Sequence, residues 1–136
     1  MRLPRATEDL LRDLGLLFLR VSAGGLMLTH GIPKMSKFGE DPIQFADPLG
    51  FGVFLSLVLA VFAEVICAAA VAVGAATRAA CVPLIITMLV AAFIVHGEDP
   101  WARKEFAIVY ALPFTALLLT GPGAFSVDRK LFRRRG

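Results

Sequence analysis

Charge is scarce in this chain, and cysteine, tryptophan and tyrosine are scarcer still: 18% of the 136 residues are Asp, Glu, Lys or Arg, with two cysteines, one tryptophan and one tyrosine. A typical soluble domain is about 25% charged. A chain this short has a large surface for its volume and needs polar residues to cover it. The shortage argues against an ordinary soluble globule and against a disordered segment. Two cysteines cannot staple a secreted module. There is no CxxC pair, glycine-rich phosphate loop, nucleophile elbow or zinc motif in the sequence. His, Cys and Asp are not densely spaced anywhere, so no metal site is expected.

What is abundant is apolar. The residues AVILMFWYC make up 57% of the chain, and mean hydropathy is +0.74. Between Leu49 and Gly97 only Glu64 and Arg78 are charged, and between Phe106 and Val127 nothing is. This is the pattern of a polytopic membrane protein, because about 20 apolar residues carry a helix across the hydrocarbon. Four spans are expected, at about residues 10–29, 52–76, 79–95 and 105–120, in one all-α domain over residues 1–136: an antiparallel four-helix transmembrane bundle. The first apolar stretch is interrupted by Arg20 and lacks a small-residue cleavage site, so it reads as a span, with no signal peptide evident.

Basic residues orient the bundle. Arg2, Arg5, Arg12, Arg78, Arg129, Lys130, Arg133, Arg134 and Arg135 fall on one side; Lys34, Lys37, Arg103 and Lys104 fall on the other. The richer side is expected in the cytoplasm with both termini, in a bacterial plasma membrane, with residues 121–136 as a basic tail against the lipid. Gly31 to Phe51 reads as a long outer loop. The link at Ala76-Thr77-Arg78 is short enough for a tight hairpin. Gly121-Pro122-Gly123 stops the last span, and Ser126 and Asp128 can start a short basic helix. The basic tail has neither aromatic interleaving nor a folded basic domain, so no nucleic-acid partner is expected.

Four features can carry chemistry. Arg20 and Glu64 are charges within spans, where such groups face the interior and pair. Measured from assumed membrane exits at Gly31 and Gly52, they lie about 16 and 18 Å deep, so a buried Arg20–Glu64 ion pair is expected. It would fix helix register or serve as a proton or ligand site. Small residues beside them, Ala23, Gly24 and Gly25 on one span and Ala60, Cys67, Ala68 and Val71 on the next, permit close packing. His30 and His96 each end an outward-running span, near Lys34 and Glu105. They either bond frayed helix ends or, with Lys34 and Glu105, line an outward-facing polar pocket for protons or a quinone headgroup. Cys67 and Cys81 read as small apolar residues rather than a disulfide.

The order of motifs is specific. Leu19-Arg20-Val21-Ser22-Ala23-Gly24-Gly25 leads to Thr29-His30-Gly31-Ile32-Pro33-Lys34. Glu64 stands in span two, Gly74 precedes Thr77-Arg78 at an inner turn, and His96 and Glu105 border spans three and four. The chain closes with Gly121-Pro122-Gly123-Ala124-Phe125-Ser126-Val127-Asp128. Over nearly its whole length this resembles the DoxX family of small bacterial four-helix membrane proteins. Val65-Ile66-Cys67-Ala68 replaces the Gly-Gly pair that often follows the family's glutamate, and Pro48-Leu49-Gly50 replaces its Gly-x-Pro approach to span two. The resemblance implies a plasma-membrane protein, with some relatives linked to quinone-coupled thiosulfate oxidation or to membrane oxidoreductase complexes. The expected role is an accessory or ligand-binding subunit in membrane redox or sulfur metabolism. A quinone is the candidate cofactor, and the candidate partners are lipid, an oxidoreductase and a second copy of the chain. Two alternatives stand: a small proton-coupled multidrug-type transporter, or a structural partner subunit with no ligand of its own.

Overall fold

A computed structural model describes residues 4–133. Of the basic residues used for orientation, Arg2, Arg134 and Arg135 lie outside them. The described residues form helices and connecting turns, with no strand among them. Helix α1 is Arg5–Met35, continued by one 3-10 turn, Ser36–Gly39. Helix α2 is Val53–Val73 and α3 is Thr77–Val95; these two and the Arg5–Gly39 stretch are each long and apolar enough to cross a membrane. Helix α4 is Trp101–Thr120, about 30 Å long at 1.5 Å per residue. A short α5, Val127–Arg133, follows.

Consecutive helices run antiparallel, α1 against α2 and α3 against α4, with α2 and α3 joined by the tight Gly74–Ala76 turn. The core is built of small residues. Ala23, Ala63, Cys67, Ala68, Ala80, Cys81, Ala92, Ala107 and Ala111 are buried around Met27, Leu84, Phe114 and Leu117. Both cysteines are free and buried among them. Large apolar side chains such as Phe18, Ile66, Phe93 and Leu119 point outward instead. A membrane bundle needs this inversion, because lipid solvates large apolar groups while small ones let backbones approach.

Two boundaries differ from expectation. Helix α1 does not end near Thr29 but continues through Pro33 to Met35, so Lys34 belongs to the helix rather than to an outer loop. Helix α4 begins at Trp101, so Arg103, Lys104 and Glu105 lie in its first turns.

The register of α1 on α2 is set by two glycines. A Cβ on Gly24 would stand 2.7 Å from the Ala68 carbonyl oxygen, and one on Gly31 would stand 2.6 Å from that of Glu64. No other residue fits at either place without moving the helices apart. Gly31 is therefore level with Glu64, eleven residues from the N-terminal start of α2. The 3-10 turn that continues α1 brings Phe38 edge-on to Phe54 at the start of α2, with ring centroids 5.9 Å apart, and residues 40–52 connect the two helices. There Asp47 accepts hydrogen bonds from the Gly52 backbone N–H at 3.0 Å and the Ser56 hydroxyl at 2.8 Å, holding the start of α2.

Candidate site: a Lys34–Glu64 pair beside an apolar cavity

The register corrects the expected Arg20–Glu64 pair. Arg20 lies eleven residues inward of Gly31 on α1, about 16 Å away along the axis, and so cannot reach a carboxylate level with Gly31. Glu64 pairs with Lys34, one turn beyond Gly31 on the same helix. The Lys34 ammonium donates to both carboxylate oxygens, at 2.6 and 2.5 Å. Glu64 is 2% exposed. Two charge-assisted bonds to one carboxylate offset part of its large desolvation cost.

Arg20 is equally buried, and its partners are backbone. It donates to the carbonyls of Ala72 at 3.2 Å, Pro122 at 2.8 Å and Phe125 at 2.5 Å. Around it the two inner signatures join. Asp128 accepts hydrogen bonds from the N–H groups of Ala76 at 2.6 Å and Thr77 at 3.0 Å, and its own N–H donates to the Gly74 carbonyl at 2.8 Å. Ala76 has φ +46°, a left-handed conformation that few non-glycine residues adopt, and the carboxylate holds it there. The Ser126 hydroxyl accepts from the Arg129 N–H at 3.2 Å, capping α5 as expected. Arg20 is thus a structural tie between the α2–α3 turn and the Gly-Pro-Gly segment.

The four residues expected to share one outward pocket separate into three settings. Lys34 and His96 do line a common cavity, of about 530 Å³. His30 turns instead toward α4: its ring meets Phe106 and Tyr110 edge-on at 5.1 and 5.3 Å, and its Nε2 lies 3.1 Å from the Tyr110 hydroxyl. Glu105 is exposed on α4 and does not line the cavity.

The cavity lies between α2 and α3 beneath residues 45–51. Glu64 is its innermost residue on α2 and His96 its outermost on α3. Its lining on α3 runs from Pro83 to His96, 13 residues or about 20 Å. The polar groups therefore mark opposite ends of an elongated, mostly apolar chamber. Its walls include Leu59, Phe62 and Ile86, which are also lipid-facing, so the chamber adjoins the bilayer.

Each end is chemically incomplete in a defined way. Lys34 has three N–H donors and uses two on Glu64. His96 Nδ1 lies 2.6 Å from an Asp99 carboxylate oxygen; that bond requires Nδ1–H as donor and leaves Nε2 for another partner. The His96 hydrogen bond, aided by Arg103, holds the Asp99 carboxyl below the usual carboxylate range.

Two irregular stretches flank the cavity. Residues Phe62–Cys67 of α2 and Ala91–Val95 of α3 are π-helical. The first carries Glu64 and the second leads directly to His96. Single π-turns inside α-helices recur at functional sites. Residue composition alone carries no mark of them. The Lys34–Glu64 partnership was also missed, because its only sequence signal was a lysine one turn past a glycine able to pack against α2.

Residues 15–97 match the DoxX family. An uncharacterized membrane protein of Mycobacterium tuberculosis is 30% identical over 141 residues, covering 85% of this chain and 80% of the relative. An uncharacterized protein of Haemophilus influenzae is 30% identical over 126 residues, covering 88% of this chain and 92% of the relative. No solved structure matches.

Proposed function

The chain belongs to the DoxX family, and from that premise we propose that it is an accessory, ligand-binding subunit of membrane redox metabolism that holds a quinone-type headgroup beside Lys34 and Glu64. It works in a bacterial plasma membrane with both termini in the cytoplasm, next to an oxidoreductase that exchanges electrons with the bound quinone.

The observation that carries this reading is the bidentate pair of half-buried Lys34 with buried Glu64 at one end of an apolar cavity that adjoins lipid. A volume of about 530 Å³ lies within the usual range for small-molecule sites, roughly 300–1,000 Å³. The fit to a quinone is good on three counts. The remaining Lys34 N–H suits a ring carbonyl. Leu59, Ala60 and Ile86 suit the ring faces and the start of an apolar tail. The opening between α2 and α3 suits a ligand delivered from the bilayer. When bound, the quinone would supply reversible two-electron, two-proton chemistry. The chain's own residues bind and orient the head, exclude water from it, and keep a proton acceptor, His96 Nε2, at the outer end.

The test is saturable binding of a short-tail quinone to the chain in nanodiscs. Binding is expected for the natural sequence, with at least a tenfold loss in Lys34→Met and little change in Glu105→Gln. Absence of saturable binding would refute the reading. Resistance to cationic drugs that depends on Glu64 would favour the transporter alternative.

A further inference from the structure

The inner end of the bundle holds a second cleft, of about 910 Å³, that the quinone reading does not use. It forms where the Gly121–Ser126 turn folds back beneath α1 and α3. Three guanidinium side chains line it from three different helices: Arg12 of α1, Arg78 of α3 and Arg129 of α5. Two carboxylates line it as well, each engaged by backbone, and Asp13 also lies 3.8 Å from the Arg12 guanidinium. Asp128 accepts from the Ala76 and Thr77 amides, and Asp13 accepts from the Ala124 amide at 3.1 Å. Arg12 lies 3.8 Å from both Asp9 and Asp13, whereas Arg78 and Arg129 have no carboxylate within salt-bridge distance among the described residues. Thr77 also lines the cleft, and its hydroxyl is the buried side-chain polar atom without a hydrogen-bond partner among the described residues.

Depth narrows the ligand. Arg78 is the second residue of α3, so the cleft sits where the apolar stretches end, at the level of lipid phosphates. Leu119, whose carbonyl accepts from Arg78 at 3.3 Å, is 74% exposed and faces acyl chains just beside it. Basic pockets at this depth suit acidic lipid headgroups, and the planar guanidinium matches two phosphate oxygens at once.

We infer that this cleft binds the phosphodiester of an anionic phospholipid of the phosphatidylglycerol kind, held by Arg12, Arg78 and Arg129. Arg78 and Arg129 supply the guanidinium donors that carry no carboxylate partner among the described residues, and they suit a single anionic phosphodiester. A zwitterionic headgroup brings a choline cation into the same guanidinium cluster and is disfavoured. The site is independent of the outer cavity and stands whether or not a quinone binds there.

The experiment is titration of the full chain, in neutral detergent, with short-chain phosphatidylglycerol, short-chain phosphatidylcholine and inorganic phosphate in parallel, read by native mass spectrometry. Saturable, preferential retention of phosphatidylglycerol is expected. Arg78→Gln and Arg129→Gln should each weaken it roughly fivefold, the factor corresponding to about 1 kcal/mol per basic group near the surface. Glu105→Gln, at an exposed position that does not line the cleft, should leave it unchanged. Arg78 also holds Leu119, so Arg129, exposed on α5, gives the cleaner variant. Equal retention of both lipids, undiminished retention in Arg129→Gln, or no retention at all overturns the inference. Inorganic phosphate that displaces the lipid at equal concentration assigns the cleft to a free anion and overturns it as well.

Discussion

Arg20 shows how far one side chain can reach across this sequence. Its guanidinium ties the C-terminal end of α2 to Pro122 and Phe125, about a hundred residues from Arg20 itself, through three carbonyls. Arg20→Met removes the donors and leaves those carbonyls buried, so it should destabilise the protein by about 2–4 kcal/mol, measured by thermal or denaturant unfolding in detergent. Arg20→Lys should recover little, because a single ammonium cannot match the planar fork. Rarity of charge in an apolar run was enough to single out Arg20 and Glu64 from sequence. Their partners were not legible there. Arg20 bonds to backbone, which every residue carries, and Glu64's choice of Lys34 depends on a register that residue types do not state. Asp99 offers a prediction with a sign. Its folded-state pKa is lowered, chiefly by the His96 hydrogen bond. The stabilisation is therefore present above the ordinary carboxylate range and disappears as acidification passes through the folded-state value. Asp99→Asn should flatten the acid limb of a stability-against-pH curve and leave the neutral-to-alkaline limb unchanged in shape.

At the scale of the helix, the existence of each element was legible and its ends were not. Long apolar runs dictate helices in lipid because every backbone group must find its partner within the segment. That rule does not say where α1 stops, since Pro33 is tolerated in its last turn and Lys34 is neutralised by Glu64. Nor does it reveal the π-helical stretches in α2 and α3. Gly31 is the residue on which the α1–α2 contact turns. Gly31→Ala places a methyl carbon 2.6 Å from the Glu64 carbonyl oxygen. The helices must part, at about 1–3 kcal/mol, and Lys34 is displaced from Glu64. The unfolding midpoint should fall, while Gly25→Ala, with nothing within 4 Å of its Cβ position, should leave it nearly unchanged.

The whole molecule is polarised. One end is closed by the joint of Arg20, Asp128 and the Gly-Pro-Gly turn; toward the other, a chamber lies between α2 and α3 beneath residues 45–51. The outer pocket expected from sequence does not bring His30 and Glu105 to Lys34 and His96, because His30 faces Phe106 and Tyr110 of α4 and Glu105 lies on the exposed face of that helix. A cysteine introduced at Glu98 should react with a membrane-impermeant maleimide in intact cells, and one at Leu131 only after permeabilisation; the reverse pattern would invert the bundle. The central claim is that Lys34, not Arg20, neutralises Glu64. A double-mutant cycle in detergent measures it directly. Lys34→Met and Glu64→Gln should each destabilise by about 3–5 kcal/mol, and the double variant by clearly less than their sum. Arg20→Met and Glu64→Gln should add within about 0.5 kcal/mol, as groups far apart do. Additive effects for Lys34 and Glu64, or strong coupling between Arg20 and Glu64, would contradict the account.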